Sequence, residues 1–454
     1  MVGPLTVSPL SRERLLSGGL WAFGGKAATA LTGLASNVLL ARLLSPQDLG
    51  AYFLAFSVVS FGAVLGSLGL GQTVVRLVAE SVGTERFGRT RRVVGIVCSL
   101  GLLGACVAGG CYLLFGATIG SRLFHSPALA AITGLVSAWI LVITLQRVQA
   151  ETFRGFHDIR SATLSGGLIT GALLLAGLSS LWLSGAGATL PTVVTLAVVS
   201  GLANALLSGW LLRRKVAALP PRSTKDEVDF GEVLGVAWPL LVANLVSAAL
   251  VSADLWVLGA FGTQEEVAVY GAAARLMTVV AMPLMIVNAV VPPFIAGMYA
   301  RGRKAVLERL LRSTSTLAGA PAFVLLAGFI LLGGPVLGLV YGDYYRAGAA
   351  VLAVLSAGRL VGVWAGSCGM ALIMTGHGTL MMAITTVCGA LSVVAALGAV
   401  GEYGSLGVAA AVSAGFALQN VLWWICARIT TGIWTHASFT SLPGLLRSLR
   451  TERR

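Results

Sequence analysis

A chain of 454 residues that is 57% hydrophobic and 11% charged, with a mean hydropathy of +0.90, cannot hide its apolar surface within one water-facing shell. It is expected to be an all-α integral membrane protein. The net charge of +14 would suit a nucleic-acid partner, but the cations gather at the ends of apolar segments, so the charge reports membrane topology and no nucleic acid is expected.

Twelve transmembrane helices are predicted, at 18–43, 49–71, 93–116, 128–149, 163–185, 191–212, 234–260, 270–297, 314–340, 347–375, 379–400 and 404–427. They divide into a cytoplasmic N-terminal segment 1–17, a six-helix bundle 18–212, a cytoplasmic linker 213–233, a second six-helix bundle 234–427 and a basic cytoplasmic tail 428–454. With both termini cytoplasmic, the inward loops hold Arg76, Arg86, Arg89, Arg91, Arg92, Arg154, Arg160, Arg213, Arg214, Lys215, Arg301, Arg303 and Lys304, among others. The outward loops hold Arg42, Arg122 and Arg346. The first apolar segment, behind Arg12 and Arg14, is longer than a signal-peptide core and reads as an uncleaved span.

The first span carries Lys26, Thr29, Ser36 and Asn37 on one broad face. Lys26 sits about 12 Å from the helix start at 1.5 Å per residue. It either lines an aqueous cavity or snorkels to the interface. The second span opens the stretch Ser45 to Glu80, whose polar turn, Tyr52 and small-residue helix start recur at Thr263 to Thr278 around Tyr270. Such a recurrence predicts two like halves.

The linker Arg76–Arg92 reads as an anchor at the inner edge. The fourth span ends in Gln146, Arg147, Gln149, Glu151 and Arg154, where Arg147 and Glu151 are spaced to pair, either on a solvated helix end or in a cytoplasmic gate. The segment 213–233, with Pro220, Pro221, Lys225, Asp226, Glu227 and Asp229, is the natural link between halves.

Under the same repeat, Asn244, Ser247 and Asp254 of the seventh span fall where Lys26, Thr29 and Ser36 fall in the first, so both faces are expected to line one interior. Asp254 and Arg275 of the next, antiparallel helix lie at similar depth and are expected to pair, either as a static strut or as a gate. An isolated charge in hydrocarbon costs at least ~2.5 kcal/mol on insertion scales. Arg359, near mid-membrane in the tenth span, has no evident acidic partner and is expected to face water or an anion. Gly358, Gly362 and Gly366 of the same span allow close helix approach. Pro239, Pro283 and Pro321 fall within spans of the second half. The tail ending LPGLLRSLRTERR resembles a basic amphipathic segment on the inner leaflet.

All six cysteines fall in apolar segments and read as packing residues. No phosphate-cradling loop, metal-spaced cluster or nucleophile with its base appears, so no enzyme, cofactor or metal is expected. The energy for a secondary transporter would come from a proton or sodium gradient, the membrane potential or the substrate's own gradient.

LARLLSPQDLGAYFLAFSVVSFGAVLGSLGLGQTVVRLVAE resembles the start of the bacterial polysaccharide-transporter family, the lipid-linked oligosaccharide flippases of the multidrug/oligosaccharidyl-lipid/polysaccharide (MOP) exporter superfamily. ADLWVLGAFGTQEEVAVYGAAARL, VVPPFIAGMYARGR, and LVYGDYYRAG followed by LIMTGHG, resemble elements of that family's second half. The resemblance implies two pseudo-symmetric six-helix bundles around a central cavity, in the bacterial cytoplasmic (inner) membrane. It also implies alternating access and an undecaprenyl-diphosphate-linked glycan as cargo, moved from the cytoplasmic to the outer leaflet. Membrane lipids, a polysaccharide polymerase and glycosyltransferases would be partners. By position, Lys26, Arg275 and Arg359 would be the substrate-binding cations. Thr29, Asn37, Asn244, Ser247 and Asp254 would be the polar or gating residues of the cavity. A cation-coupled multidrug exporter of the same superfamily and a non-transporting scaffold of an envelope-synthesis complex are the alternatives.

Overall fold

A hydrocarbon slab offers no water to an unpaired amide, so a chain of this hydropathy must satisfy its backbone within helices. The computed structural model, which describes residues 12–185, 187–220 and 229–438, is helical in every regular element described. In order these are α1 Arg12–Leu43, α2 Pro46–Gly66, α3 Leu70–Gly83, α4 Phe87–Thr118, α5 Pro127–Ala131, α6 Thr133–Gly155, α7 Ile159–Thr163, α8 Ile169–Leu183 and α9 Leu190–Ala217. The second half has α10 Phe230–Phe261, α11 Gln264–Val290, α12 Pro292–Ala300, α13 Lys304–Tyr341, α14 Ala349–Ala365, α15 Cys368–Met374 and α16 Gly378–Thr431.

Among the described residues, ten helices are long and apolar enough to cross a membrane, and Ala27–Leu43 of α1 adds a shorter apolar one. The 54 residues of α16 would run about 80 Å at 1.5 Å per residue, far beyond the ~30 Å hydrocarbon core. They fold back instead. Gly404 takes φ 52° and ψ −138°, and the Trp423 indole N–H donates to the Met381 carbonyl at 3.1 Å, so the limbs run antiparallel. Ten such helices fall short of the expected twelve, which counted α16 as two spans, on either side of Gly404, and included the shorter segment of α1.

The repeat is built from matching helix starts. Ser45 accepts from the Asp48 amide ahead of α2, and Thr263 with Glu266 forms a full capping box ahead of α11. Residues 218 apart then touch. Gln47 donates to Glu265 at 2.7 Å, and a Cβ on Gly271 would lie 2.2 Å from the Phe53 ring. Equivalent residues meeting each other mark a pseudo-two-fold axis along the bundle, with α2 and α11 packed in parallel around it.

At this capped end one continuous core joins the halves, running from Leu49, Phe53 and Trp139 through Leu258 and Tyr270 to Leu337 and Leu352. At the opposite end, where the arginine-rich loops lie, the core divides. One cluster gathers Leu70, Val97, Val148 and the first turns of α10 at Val233 and Ala237. Two smaller clusters, around Ile295 and Leu311 and around Cys368 and Ala427, stay within the C-terminal half.

Three breaks in the chain differ most from expectation. The second span ends at Gly66, because Leu68 (φ 50°) and Gly69 (φ 72°) turn the chain into α3. α3 is amphipathic, burying Leu70, Val74, Leu77 and Val78, and Gly69 approaches α10 so closely that a Cβ would sit 2.1 Å from the Ala237 carbonyl. The eighth span starts at Gln264 and breaks at Val291, before Pro292. The tenth breaks at Gly366 into α14 and α15.

The tail differs as well, since 432–438 turn back into the C-terminal half. The Thr435 hydroxyl donates to the Ala365 carbonyl at 2.7 Å and the Ala437 amide to that of Trp364 at 2.8 Å. Residues 1–11, 221–228 and 439–454, with the calls made on them, lie outside the described residues.

Candidate functional site

Between the halves lies a cavity of about 480 Å³, lined by α2, α3 and α6 on one side and α10 on the other. Asn244 and Ser247 from α10 face it as expected, and Ser247 also donates to the Ala243 carbonyl at 2.9 Å. Its charges come from α6, where Arg147, Glu151 and Arg154 line the opposing wall. The sequence reading placed these three at a solvated helix end, with a cytoplasmic gate as the alternative, and paired Glu151 with Arg147. The structure pairs Glu151 with Arg154, three residues on, leaving Arg147 exposed to the cavity. Their spacing of i, i+4 and i+7 puts all three on one helix face, which was the available signal.

The rest of α6 is tied down. Gln146 donates to the Gly201 carbonyl and Gln149 to that of Ala205, fixing α6 against α9. Below it, Lys215 pairs with Asp158. Burial pushes the Asp158 carboxyl up, but hydrogen bonds from Lys215 and Ser161 outweigh it and hold the group below the ordinary carboxylate range.

The expected Asp254–Arg275 pair is not formed. Asp254 Oδ2 accepts from the Tyr270 hydroxyl at 2.9 Å and Oδ1 from the Leu255 amide at 2.8 Å. Arg275 instead stacks 3.6 Å above the Phe53 ring and donates to the Gly271 carbonyl at 3.2 Å. Depth alone made the pair look natural. Tyr270 and Arg275 are five residues apart, roughly 140° around a helix of 3.6 residues per turn, so one faces α10 and the other α2. Arg275 therefore sits in the α2–α11 seam as a cation–π contact.

Arg359 does line cavities. Its guanidinium lies 4.1 Å over Phe416, its Nε contacts Met277 Sδ at 3.3 Å, and among the described residues no carboxylate forms a salt bridge with it. With Asp254, Ser392 and Gln419 it borders a space of about 250 Å³. In the first span, Thr29 donates to the Gly25 carbonyl at 2.8 Å and Asn37 to that of Gly33 at 2.7 Å, so both are satisfied by their own helix. The side chain of Lys26 lies outside the described residues.

The chain superposes on an inward-facing conformation of a multidrug resistance MATE family transporter of the MOP superfamily with a TM-score of 0.74. The identity is 17%, over 89% of this chain and 94% of that one. The lipid II flippase MurJ, in an inward closed conformation, gives 0.70 at 16% identity over 89% and 87%. An outward-facing MATE conformation gives 0.60 at 16% identity over 92% and 95%. At these identities the likeness is one of fold, and the fold is that of MOP transporters. No curated protein matches the chain. The family model described as polysaccharide biosynthesis protein matches residues 15–298, more than half of the chain, and the chain belongs to that family.

Proposed function

We propose that this protein is a secondary transporter that carries an anionic lipid-linked oligosaccharide from the cytoplasmic to the outer leaflet of a bacterial inner membrane. The observation that carries this reading is the unequal core: continuous across both halves at the capped end, divided at the basic end, with a cation-bearing cavity between them. The positive-inside rule makes the basic end cytoplasmic. The halves are then closed toward the outside, while toward the cytoplasm, where the precursor is made, only the start of α10 bridges them.

Charge supports the same substrate. The inter-half cavity presents Arg147 beside an already neutralised Glu151–Arg154 pair, and a diphosphate matches a guanidinium in bidentate geometry. An inside-negative membrane drives an anion outward by roughly 2.3 kcal/mol per charge per 100 mV, so the potential alone supplies a direction. Proton or sodium coupling is a further possible drive in this scheme.

Depletion of the protein followed by analysis of lipid carriers tests the reading. A glycan trapped on its carrier at the cytoplasmic face is the expected result. Unchanged carrier pools, with sensitivity to cationic dyes gained on depletion, would establish instead the multidrug export suggested by the likeness to a MATE transporter.

A further inference from the structure

A second cavity, of about 280 Å³, lies wholly inside the C-terminal half, bounded by α11, α14, α15 and both limbs of α16. It is separate in position from the inter-half cavity, sharing none of the lining residues. Its walls are apolar in the main, with Met285, Met370 and Met381 beside the rings of Phe416 and Trp423. Four polar side chains interrupt them: Asn420 donates to the Phe416 carbonyl, and the other three are short of a partner.

Arg359 is the cation. It stacks on Phe416 and contacts a thioether, a weak acceptor; Asp254 attracts it across the adjoining cavity without forming a salt bridge, and among the described residues no oxygen accepts from its two terminal nitrogens. Ser367 is 1% exposed and its Oγ has no hydrogen-bond partner. The buried Oδ1 of Asn288 likewise has none, and an amide rotation would present its NH2 to the same space. Leaving a buried hydroxyl or amide unsatisfied is costly, and a guanidinium within the membrane more so, so three such groups around one cavity mark a binding site.

All three can donate, and no acid lines the space. The donors therefore call for an anion with several acceptor oxygens. The methionine and aromatic walls call for an apolar chain attached to it. We propose that this cavity is a binding site for a phosphoryl group borne on a lipid tail, with Arg359 as its anchor and Ser367 and Asn288 as its hydrogen-bond donors.

The same chemistry is offered by a polyprenyl diphosphate carrier and by the headgroup of an anionic phospholipid. The site stands on its own geometry, and only the carrier as its natural occupant rests on the transport reading above.

The test is equilibrium binding to the purified full-length protein, using geranyl diphosphate, inorganic diphosphate and a short-chain phosphatidylglycerol as separate probes. Geranyl diphosphate is expected to bind the native protein and to lose at least about tenfold in affinity in Arg359→Gln, with a loss of about threefold in Ser367→Ala. Arg359→Lys keeps the charge but not the stacked fork, and is expected to fall between native protein and Arg359→Gln. Thermal unfolding of each variant separates lost binding from lost folding.

Tighter binding of geranyl diphosphate than of phosphatidylglycerol supports the carrier as occupant, and the reverse supports a lipid headgroup; both support the site. Equal binding of geranyl diphosphate to native protein, Arg359→Gln and Ser367→Ala overturns it. Binding that depends on Arg359 in a protein whose depletion leaves carrier pools unchanged would keep the site and discard the transport reading. Trapped glycan with binding indifferent to Arg359 would do the opposite.

Discussion

The hydroxyl of Tyr270 takes the place at Asp254 that Arg275 was expected to fill. Tyr270 is fully buried, and its bond to Oδ2 couples α11 to α10 at the level where the halves share a core. Tyr270→Phe should therefore destabilise the protein by about 1–2 kcal/mol, since it strands a buried carboxylate oxygen. Arg275→Gln acts through Phe53 and the α2–α11 seam instead. A double-mutant cycle by thermal unfolding should find Asp254→Asn strongly non-additive with Tyr270→Phe and nearly additive with Arg275→Gln. The opposite couplings would restore the ion pair read from depth. Residue type and depth were legible in the chain, because hydropathy reports both. Azimuth around each helix was not, because in a membrane helix apolar residues surround every polar one and the hydrophobic pattern fixes no rotation.

At the scale of elements, signals with local causes were readable and those set by neighbours were not. The caps at Ser45 and Thr263 are local, and they disclosed the repeat. The break at Gly69 is set by α10, whose Ala237 carbonyl occupies the place of a side chain, and nothing near Gly69 announces that approach. The prolines point the same way. Pro239, Pro283, Pro321 and Pro335 lie inside α10, α11 and α13, which continue through them; the breaks at Gly69 and Gly366 fall away from any proline, and only the one at Val291 precedes one.

Gly366 (φ 76°) also has a neighbour's cause. A Cβ there would lie 2.0 Å from Ser315 Oγ and 2.5 Å from the Thr435 carbonyl, so the break between α14 and α15 is shaped by the returning segment 432–438. That segment buries Ile433 and Thr435 and supplies donors to two carbonyls at the end of α14. Truncation after Thr431 should thus expose those carbonyls, lower the unfolding temperature by several degrees and loosen the α14–α15 corner. Hydrogen exchange across 362–374 would register the loosening. Unchanged protection there would mean that the segment covers the corner without bracing it.

For the whole molecule, the two-fold relation sets which contacts a transport cycle must break. A transporter that opens in turn to each side has to part whichever end is closed, and here the closed end is the seam of α2 and α11 around the axis. Gln47 and Glu265 sit at the mouth of that seam, bonded at 2.7 Å, and the Gly50 Cα lies against the Gln264 carbonyl just inside it. At the other end, Arg89 and Glu232 tie α4 to α10 at 2.6 Å, so α10 travels with the first half near that end and supplies a pivot. The moving contact is therefore the capped seam. In a cysteine-free background, Gln47→Cys with Glu265→Cys joined by a short reducible crosslinker should abolish the proposed transport of lipid-linked glycan, and reduction should restore it. Either single cysteine should transport normally after the same treatment. Transport at full rate with the crosslink complete would mean that the seam never parts, and the alternating-access reading of these two halves would fall with it.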